Sequence, residues 1–343
     1  MSVVGARPQF IKAAPVSRVL RRDHEEVLVH TGQHYDDNMS AVFFRELDIP
    51  EPDINLGVGS GLHGAQTGGM MAGIEKVALE IKPDWVLVYG DTNSTVAAAL
   101  VAAKLHIKIA HVEAGLRSFD RRMPEEINRV LTDHVSDRLF CPTDIAIRNL
   151  AREGIEAGVH LVGDVMYDAF LFNLEVARKR DSVVKTLGLE PGGFALATVH
   201  RAENADDPER LRAVLDGLDR SGLEVVLPIH PRTRARLTGV VPERIRIIDP
   251  VGYLDMLALE DAATVIVTDS GGVQKESYFL GKPCVTLRET TEWTETVQAG
   301  WNVLVGSASD RIAEAMRDFR PSGKRLNLYG DGHASEKISR LLS

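Results

Sequence analysis

Short apolar runs alternate with longer stretches of helical periodicity along the whole chain. In the first half these runs cover residues 2–5, 26–30, 85–89, 107–111, 138–141 and 159–162. In the second half they cover residues 194–198, 224–228, 245–248, 264–267, 284–287 and 302–305. Runs of this length, rich in Val and Ile and separated by helical segments, predict βα units and parallel sheets. The pattern predicts an α/β chain of two Rossmann-like domains. The first is expected over residues 1–165 and the second over 166–330, with an amphipathic helix over 331–343 returning to the first. The first run is very short and begins at the start of the chain, which reads as a trimmed or mis-called start.

Polar motifs follow the apolar runs directly. Gly5-Ala6-Arg7-Pro8, Thr31-Gly32-Gln33-His34, Gly90-Asp91-Thr92 and His111-Val112-Glu113-Ala114-Gly115 do so in the first half. Val199-His200-Arg201, Ile229-His230-Pro231 and Asp269-Ser270-Gly271 do so in the second. Ligands of open α/β sheets bind outside the carboxyl ends of the strands. Polar motifs at that edge in both halves point to one cleft between two facing sheets.

The run Thr268-Asp269-Ser270-Gly271-Gly272-Val273-Gln274-Lys275-Glu276 carries the most chemistry. A Ser-Gly-Gly turn from strand into helix brings bare amides and the helix dipole to one place, a setting for phosphate. Glu276, one turn further on, could accept hydrogen bonds from ribose hydroxyls. Taken alone, the turn is also compatible with ordinary strand-to-helix punctuation.

Other residues add to this reading. Arg7 and Lys12 flank the first strand-to-helix turn and could clamp a diphosphate, or simply decorate a solvated helix start. Asp91 ends an apolar strand, as either a functional carboxylate or part of an N-cap for the helix that follows. Glu113 lies between an apolar strand and a Gly turn, a poor place for surface decoration. Glu125 lies in the first turn of a helix opened by Pro124. There Ile127, Val130, Leu131 and Val135 are expected to form the buried stripe, leaving Glu125, Asn128 and Arg129 on a polar face. His200 could serve as proton donor, phosphate ligand or structural histidine.

Composition narrows the classes. The 343 residues exceed one ordinary domain, and 40 basic against 49 acidic residues give a net charge of −9. Nucleic acid and anionic membrane surfaces are not expected partners. The two cysteines, Cys141 and Cys284, sit in apolar surroundings and read as reduced core thiols of a cytoplasmic protein. No run approaches the length of a membrane span, and no signal peptide is evident. No His-Glu-x-x-His spacing suggests a metal, no Gly-x-Gly-x-x-Gly follows the first strand, and no Gly-x-Ser-x-Gly appears. Neither metal nor cofactor is expected.

The motifs together resemble the non-hydrolysing UDP-N-acetylglucosamine 2-epimerases. The match rests on Gly5-Ala6-Arg7-Pro8 with Lys12, Gly90-Asp91-Thr92, His111 to Arg117, Pro124-Glu125-Glu126 with Asn128-Arg129, His200-Arg201, and Asp269-Ser270-Gly271-Gly272 with Gln274 and Glu276. The resemblance implies a glycosyltransferase-B-like pair of domains, a homodimer formed through the first domain, and a UDP-sugar substrate destined for cell-surface polysaccharide. It implies catalytic roles for Asp91, Glu113, Glu125 and His200. Ser270, Gly271 and Gly272 would hold the phosphates and Glu276 the ribose, with Arg7 and Lys12 reaching the nucleotide from the first domain. The implied reaction eliminates UDP across C1–C2 to give a 2-acetamidoglucal and re-adds it after proton return on the other face.

Three departures qualify the resemblance. Ala202, Tyr35 and Trp293-Thr294 stand where many bacterial members carry Arg or Arg-Pro. The arginine-rich forms accompany a second, activating UDP-N-acetylglucosamine, so that regulation is not expected here. The same variants resemble archaeal members and the branch that epimerises UDP-2,3-diacetamido-2,3-dideoxy-glucuronate. A hydrolysing epimerase and a UDP-sugar glycosyltransferase are the remaining alternatives.

Overall fold

The structure is a computed structural model, and it describes residues 1–33, 50–180, 183–229, 231–234, 236–237, 242–322 and 324–343. His34, Tyr35 and His230 lie outside the described residues. The chain divides into two compact units, Met1–Phe172 with Asn327–Ser343, and Asn173–Leu326.

The first unit holds a parallel sheet of β1 (Ser2–Val4), β2 (Leu28–His30), β3 (Ile54–Asn55), β4 (Trp85–Tyr89), β5 (Lys108–Val112), β6 (Arg138–Cys141) and β7 (Val159–Leu161). Their order is β3-β2-β1-β4-β5-β6-β7. The second unit holds β8 (Phe194–Thr198), β9 (Glu224–Pro228), β10 (Ile245–Ile248), β11 (Val265–Thr268), β12 (Cys284–Thr286) and β13 (Asn302–Leu304), in the order β10-β9-β8-β11-β12-β13. In both sheets the order reverses beside the first strand, between β1 and β4 and between β8 and β11. That reversal opens a crevice at the carboxyl ends of those strands.

The strands are largely apolar because helices cover both faces. In β11, Val265 and Val267 pack with Val214, Leu218, Ile312 and Met316, whereas Ile266 faces Leu259 and Phe194 on the other side. In the first unit, Val3, Val86, Val88 and Ile109 pack with Met70 and Ile74. Leu139 and Cys141 meet Ala146 and Leu150 in a second cluster.

Sequence and structure differ in two places. Strand β3 was not anticipated, because Ile54–Asn55 is too short to show a period. The division follows Phe172 because helix Val165–Lys179 begins as part of the first unit. There the Asp168 carboxylate accepts from the Ala334 and Ser335 amides at 3.1 and 2.7 Å, fastening the start of helix Ala334–Leu342. The second difference is a correction. Helix Pro124–Val135 does not bury the expected apolar stripe: Ile127 and Leu131 are 40% and 43% exposed, while Glu126, Asn128, Thr132 and Asp133 are buried. Its polar face turns inward because Glu126, Asn128 and Asp133 find hydrogen-bond partners there.

Candidate active site

In the first unit the site residues gather at the switch point. A Cβ on Gly5 would lie 2.0 Å from Ser94 Oγ and 2.3 Å from Thr31 Oγ1, so only glycine fits where β1 ends. Gln9, fully buried, accepts from the Gly5 and Ala6 amides at 2.8 and 3.0 Å and donates to Tyr89 O at 2.8 Å. It ties the β1 turn to the end of β4. Arg7 opens helix Arg7–Asp23 with an exposed side chain, and Pro8 occupies its first turn, where no amide is missed.

Lys12, from that helix, forms an ion pair with Glu113 at the end of β5. Burial alone would lower the ammonium's affinity for its proton. The Glu113 carboxylate, helped by Asp91 and Asp164, outweighs this and holds Lys12 above its ordinary value. Glu113 sits at φ 71°, a left-handed conformation that costs a non-glycine residue about 1–2 kcal/mol. Hydrogen bonds from the Glu113 and Ala114 amides to Phe140 O, both 3.1 Å, hold it there. Such strain, over-determined by its surroundings, is common at functional sites.

Asp91 follows Gly90 at the end of β4. The N-cap of helix Asn93–Lys104 is Thr92, whose side chain accepts from the Thr95 amide, so Asp91 is not needed for capping. Its carboxylate is held by Arg129, which also donates to Glu126 at 2.9 Å. Glu126 accepts from the Ser118 and Phe119 amides at 2.8 and 2.9 Å. Burial raises its pKa, but these amides and Arg129 hold it below the usual range. Glu125, its neighbour, is exposed, and among the described residues its carboxylate joins neither Asp91 nor Glu113.

Under these carboxylates runs a buried polar chain. His111, fully buried in β5, contacts Asp133 Oδ1 through Nδ1 and Gly90 O through Nε2, both at 2.7 Å. Asp133 Oδ2 accepts from the Gly115 amide at 3.1 Å and from Arg117 at 2.7 Å. Arg117 continues to Glu153 at 2.7 Å. Burial opposes ionisation of Asp133, but His111 and Arg117 prevail and hold it below the ordinary range. A carbonyl and an ionised carboxylate can only accept, so both ring nitrogens of His111 donate.

In the second unit, β8 and β11 end side by side. Asp269, fully buried, accepts from the His200 and Arg201 amides, each at 3.1 Å, and from Asn204 Nδ2 at 3.2 Å. His200 Nδ1 lies 2.9 Å from Asp269 Oδ1, with much of the ring exposed. The hydrogen bond to Asp269 outweighs desolvation and raises the pKa of His200. Burial would raise Asp269, but His200, Asn204 and the Arg201 amide hold it down.

Ser270 caps helix Gly271–Leu280. The amides of Gly271 and Gly272 are among the first four, which a helix leaves unsatisfied. A Cβ on Gly271 would fall 2.3 Å from Glu292 Oε1, whereas the nearest atom to one on Gly272 is Ser270 Oγ at 3.8 Å. One glycine lies against the movable Glu292 carboxylate, and the other leaves open backbone. Glu276, half-buried, accepts from the Tyr253 hydroxyl at 2.9 Å. Burial raises its carboxyl, with Tyr253 and Lys275 opposing.

Thus Arg7, Lys12, Asp91 and Glu113 share one strand edge, with Glu125 in the helix after β5, and His200, Ser270, Gly271, Gly272 and Glu276 share the edge of the other unit. Sequence reasoning gave no role to Gln9, Asp133 or Asp269. Asp269 carried a usable signal, since it ends an apolar strand as Asp91 does. Asp133 carried none, being a mid-helix acid indistinguishable from a solvated one. Among the described residues, no group of His, Cys, Asp and Glu is placed to hold a metal ion, and no helix is long and apolar enough to cross a membrane.

Two doubly wound parallel units with site residues at their switch points define a glycosyltransferase-B-like α/β protein. The family model described as UDP-N-acetylglucosamine 2-epimerase matches residues 18–343. The chain is 54% identical to a UDP-N-acetylglucosamine 2-epimerase homolog of Methanococcus maripaludis, covering 100% of this chain and 98% of that one. It is 52% identical to a UDP-2,3-diacetamido-2,3-dideoxy-D-glucuronate 2-epimerase of Pseudomonas aeruginosa, covering 100% and 99%. The structure resembles that of the UDP-GlcNAc 2-epimerase of Methanocaldococcus jannaschii in complex with UDP-GlcNAc and UDP, with a TM-score of 0.78, 47% identity, and coverage of 99% and 98%. The chain belongs to the UDP-N-acetylglucosamine 2-epimerase family. It is an enzyme of that family, as its motifs suggested.

Proposed function

We propose that the protein interconverts UDP-N-acetylglucosamine and UDP-N-acetylmannosamine by elimination and re-addition of UDP. The observation that carries this reading is the placement of Glu113 and Asp91. Two carboxylates end adjacent strands beside a switch point, one strained and paired with Lys12, the other held by Arg129. Inverting C2 requires a base on one face of the sugar and an acid on the other.

A carboxylate removes the C2 proton, the C1–O bond breaks, and UDP leaves with its electron pair. The remaining 2-acetamidoglucal receives a proton at C2 from the other face, and a UDP oxygen re-forms the bond at C1. The balance is an isomerisation that consumes nothing. Asp91, Glu113, Glu125 and His200 are the proposed proton-transfer groups. Ser270, the Gly271 and Gly272 amides and the helix dipole would take the phosphates, with Arg7 and Lys12 stabilising departing UDP. Glu276 would accept from the ribose.

The relative from Pseudomonas aeruginosa favours one second reading, a substrate bearing a 3-acetamido group and a 6-carboxylate. Incubation in D2O with each UDP-sugar in turn tests both. Deuterium at C2 of the epimer identifies the substrate. An epimer that forms with protium retained at C2 overturns the proposed chemistry. Free N-acetylmannosamine and UDP as end products would indicate a hydrolysing enzyme.

We further propose a homodimer formed through the first unit. Ile127 and Leu131 lie one turn apart on helix Pro124–Val135 and are both exposed, as is Phe119 before it. Exposed apolar residues in such a cluster mark an interaction surface. Leu131→Glu should shift the mass measured by light scattering from dimer towards monomer. A cytoplasmic location fits the two free, buried thiols, both pushed up to about 12 by burial.

A further inference from the structure

We propose that Asp133 is a positioning residue that, through His111 and Gly115, locks together the two strand-end turns carrying Asp91 and Glu113. One oxygen of Asp133 holds the His111 ring, whose other nitrogen donates to Gly90 O, the carbonyl immediately before Asp91. The second oxygen holds the Gly115 amide, two residues past Glu113. A single carboxylate therefore reaches both turns. It sits on helix Pro124–Val135, where Arg129 holds Asp91 and Asn128 donates to Asp91 O at 2.9 Å.

Both turns need such a lock. Gly90 and Glu113 have left-handed φ angles of 62° and 71°. A Cβ on Gly90 would lie 3.2 Å from Lys12 Nζ and 3.3 Å from Glu113 Oε2, so the Gly90 turn packs against the Lys12–Glu113 pair. His111 and Asp133 are fully buried. The pair balances its charges internally, and Arg117, with Glu153 beyond it, completes the set. A buried polar chain with every partner supplied is rigid and specifies one geometry. Catalytic groups displaced by about 1 Å commonly lose about 10²-fold in rate.

The inference rests on the reading that Asp91 and Glu113 transfer protons at C2. Asp133→Asn keeps the shape and removes the charge. It should lower kcat by about 10²-fold with KM and UDP affinity nearly unchanged. Amide hydrogen exchange at Gly90 and Gly115 should accelerate, while amides of the second unit stay protected. His111→Gln should reproduce the split between kcat and KM. In the wild type, ¹⁵N-histidine NMR should show both His111 nitrogens protonated, a reading that needs no variant to fold. An unprotonated nitrogen there, or an active wild type whose Asp133→Asn variant keeps its kcat, overturns the inference. If the wild type exchanges no deuterium at C2 yet Asp133→Asn still releases both amides, the lock stands and the catalytic reading fails.

Discussion

Asp269 holds His200 at 2.9 Å from a fully buried position at the end of β11, and the same carboxylate accepts from the His200 and Arg201 amides. One acid thus fixes both the path of the β8 turn and the charge of the histidine on it. Asp269→Asn weakens the hydrogen bond, and removes the counter-charge, that raise His200. The protonated histidine then disappears at a lower pH, and the alkaline limb of kcat should move down with it. An unchanged pH profile would remove His200 from proton transfer.

The same pair sets a window of stability. His200 is raised, so its contribution is full below the unfolded histidine value of about 6.5 and is lost as pH rises through the folded value. Asp269 is lowered, so its contribution is full above the unfolded value of about 3.9 and is lost as pH falls through the folded value. The difference in melting temperature between wild type and Asp269→Asn should therefore be larger near about pH 5.5 than near about pH 9. A difference that grows towards alkaline pH would contradict the pairing.

Gly90→Ala tests how tightly the β4 and β5 turns are packed. The new methyl would press on the Lys12–Glu113 pair in a backbone of φ 62°. The conformational cost is about 1–2 kcal/mol, and displacement of Glu113 should lower kcat at least about 10-fold. Steady-state kinetics with a melting curve separates the two effects. A variant that melts earlier but keeps full kcat would show that Glu113 tolerates the shift.

The strands and the edge on which function sits were legible because each apolar run stops abruptly at a polar motif. Trp85–Tyr89, Arg138–Cys141 and Phe194–Thr198 have the expected bounds, since nothing polar interrupts a strand buried on both faces. Helix Pro124–Val135 was misread because amphipathic reasoning assumes that the apolar face is the buried one. Here Glu126 and Asp133 face inward to bind amides, and no local pattern announces partners that arrive from β5 and the segment after it. Glu113 was recognisable as a site residue, but its left-handed backbone was not, because that conformation is imposed by neighbouring strands.

Glu276→Ala should weaken UDP by about 1.5–3 kcal/mol, the range for lost charge-assisted hydrogen bonds. The carboxylate is oriented by Tyr253, whose hydroxyl lies 2.9 Å away, so Tyr253→Phe should weaken UDP in the same direction by a smaller amount. Calorimetric titration with UDP reads both. Unchanged affinity in Glu276→Ala would remove Glu276 from the nucleotide site, whatever the enzyme's activity.

Glu260 gives the last prediction. It is fully buried on helix Tyr253–Ala262, and neither carboxyl oxygen finds a hydrogen-bond partner among the described residues. Burial, reinforced by the negative charge of Glu276, raises its pKa well above the ordinary value. Of the two acids Glu260 carries the proton, because Glu276 has the Tyr253 hydroxyl and the nearby Lys275 charge to favour ionisation. An unfolded Glu ionises above about pH 4.3 while native Glu260 stays neutral, so the native state is penalised increasingly as pH rises through that range. Glu260→Leu removes both this penalty and the unsatisfied polar atoms. It should stabilise the protein by about 1–3 kcal/mol, and by more near about pH 8 than near about pH 5. Thermal unfolding at the two pH values checks the sign. A destabilised Glu260→Leu variant would mean that the carboxyl is satisfied by water or ligand and belongs to the nucleotide site with Glu276.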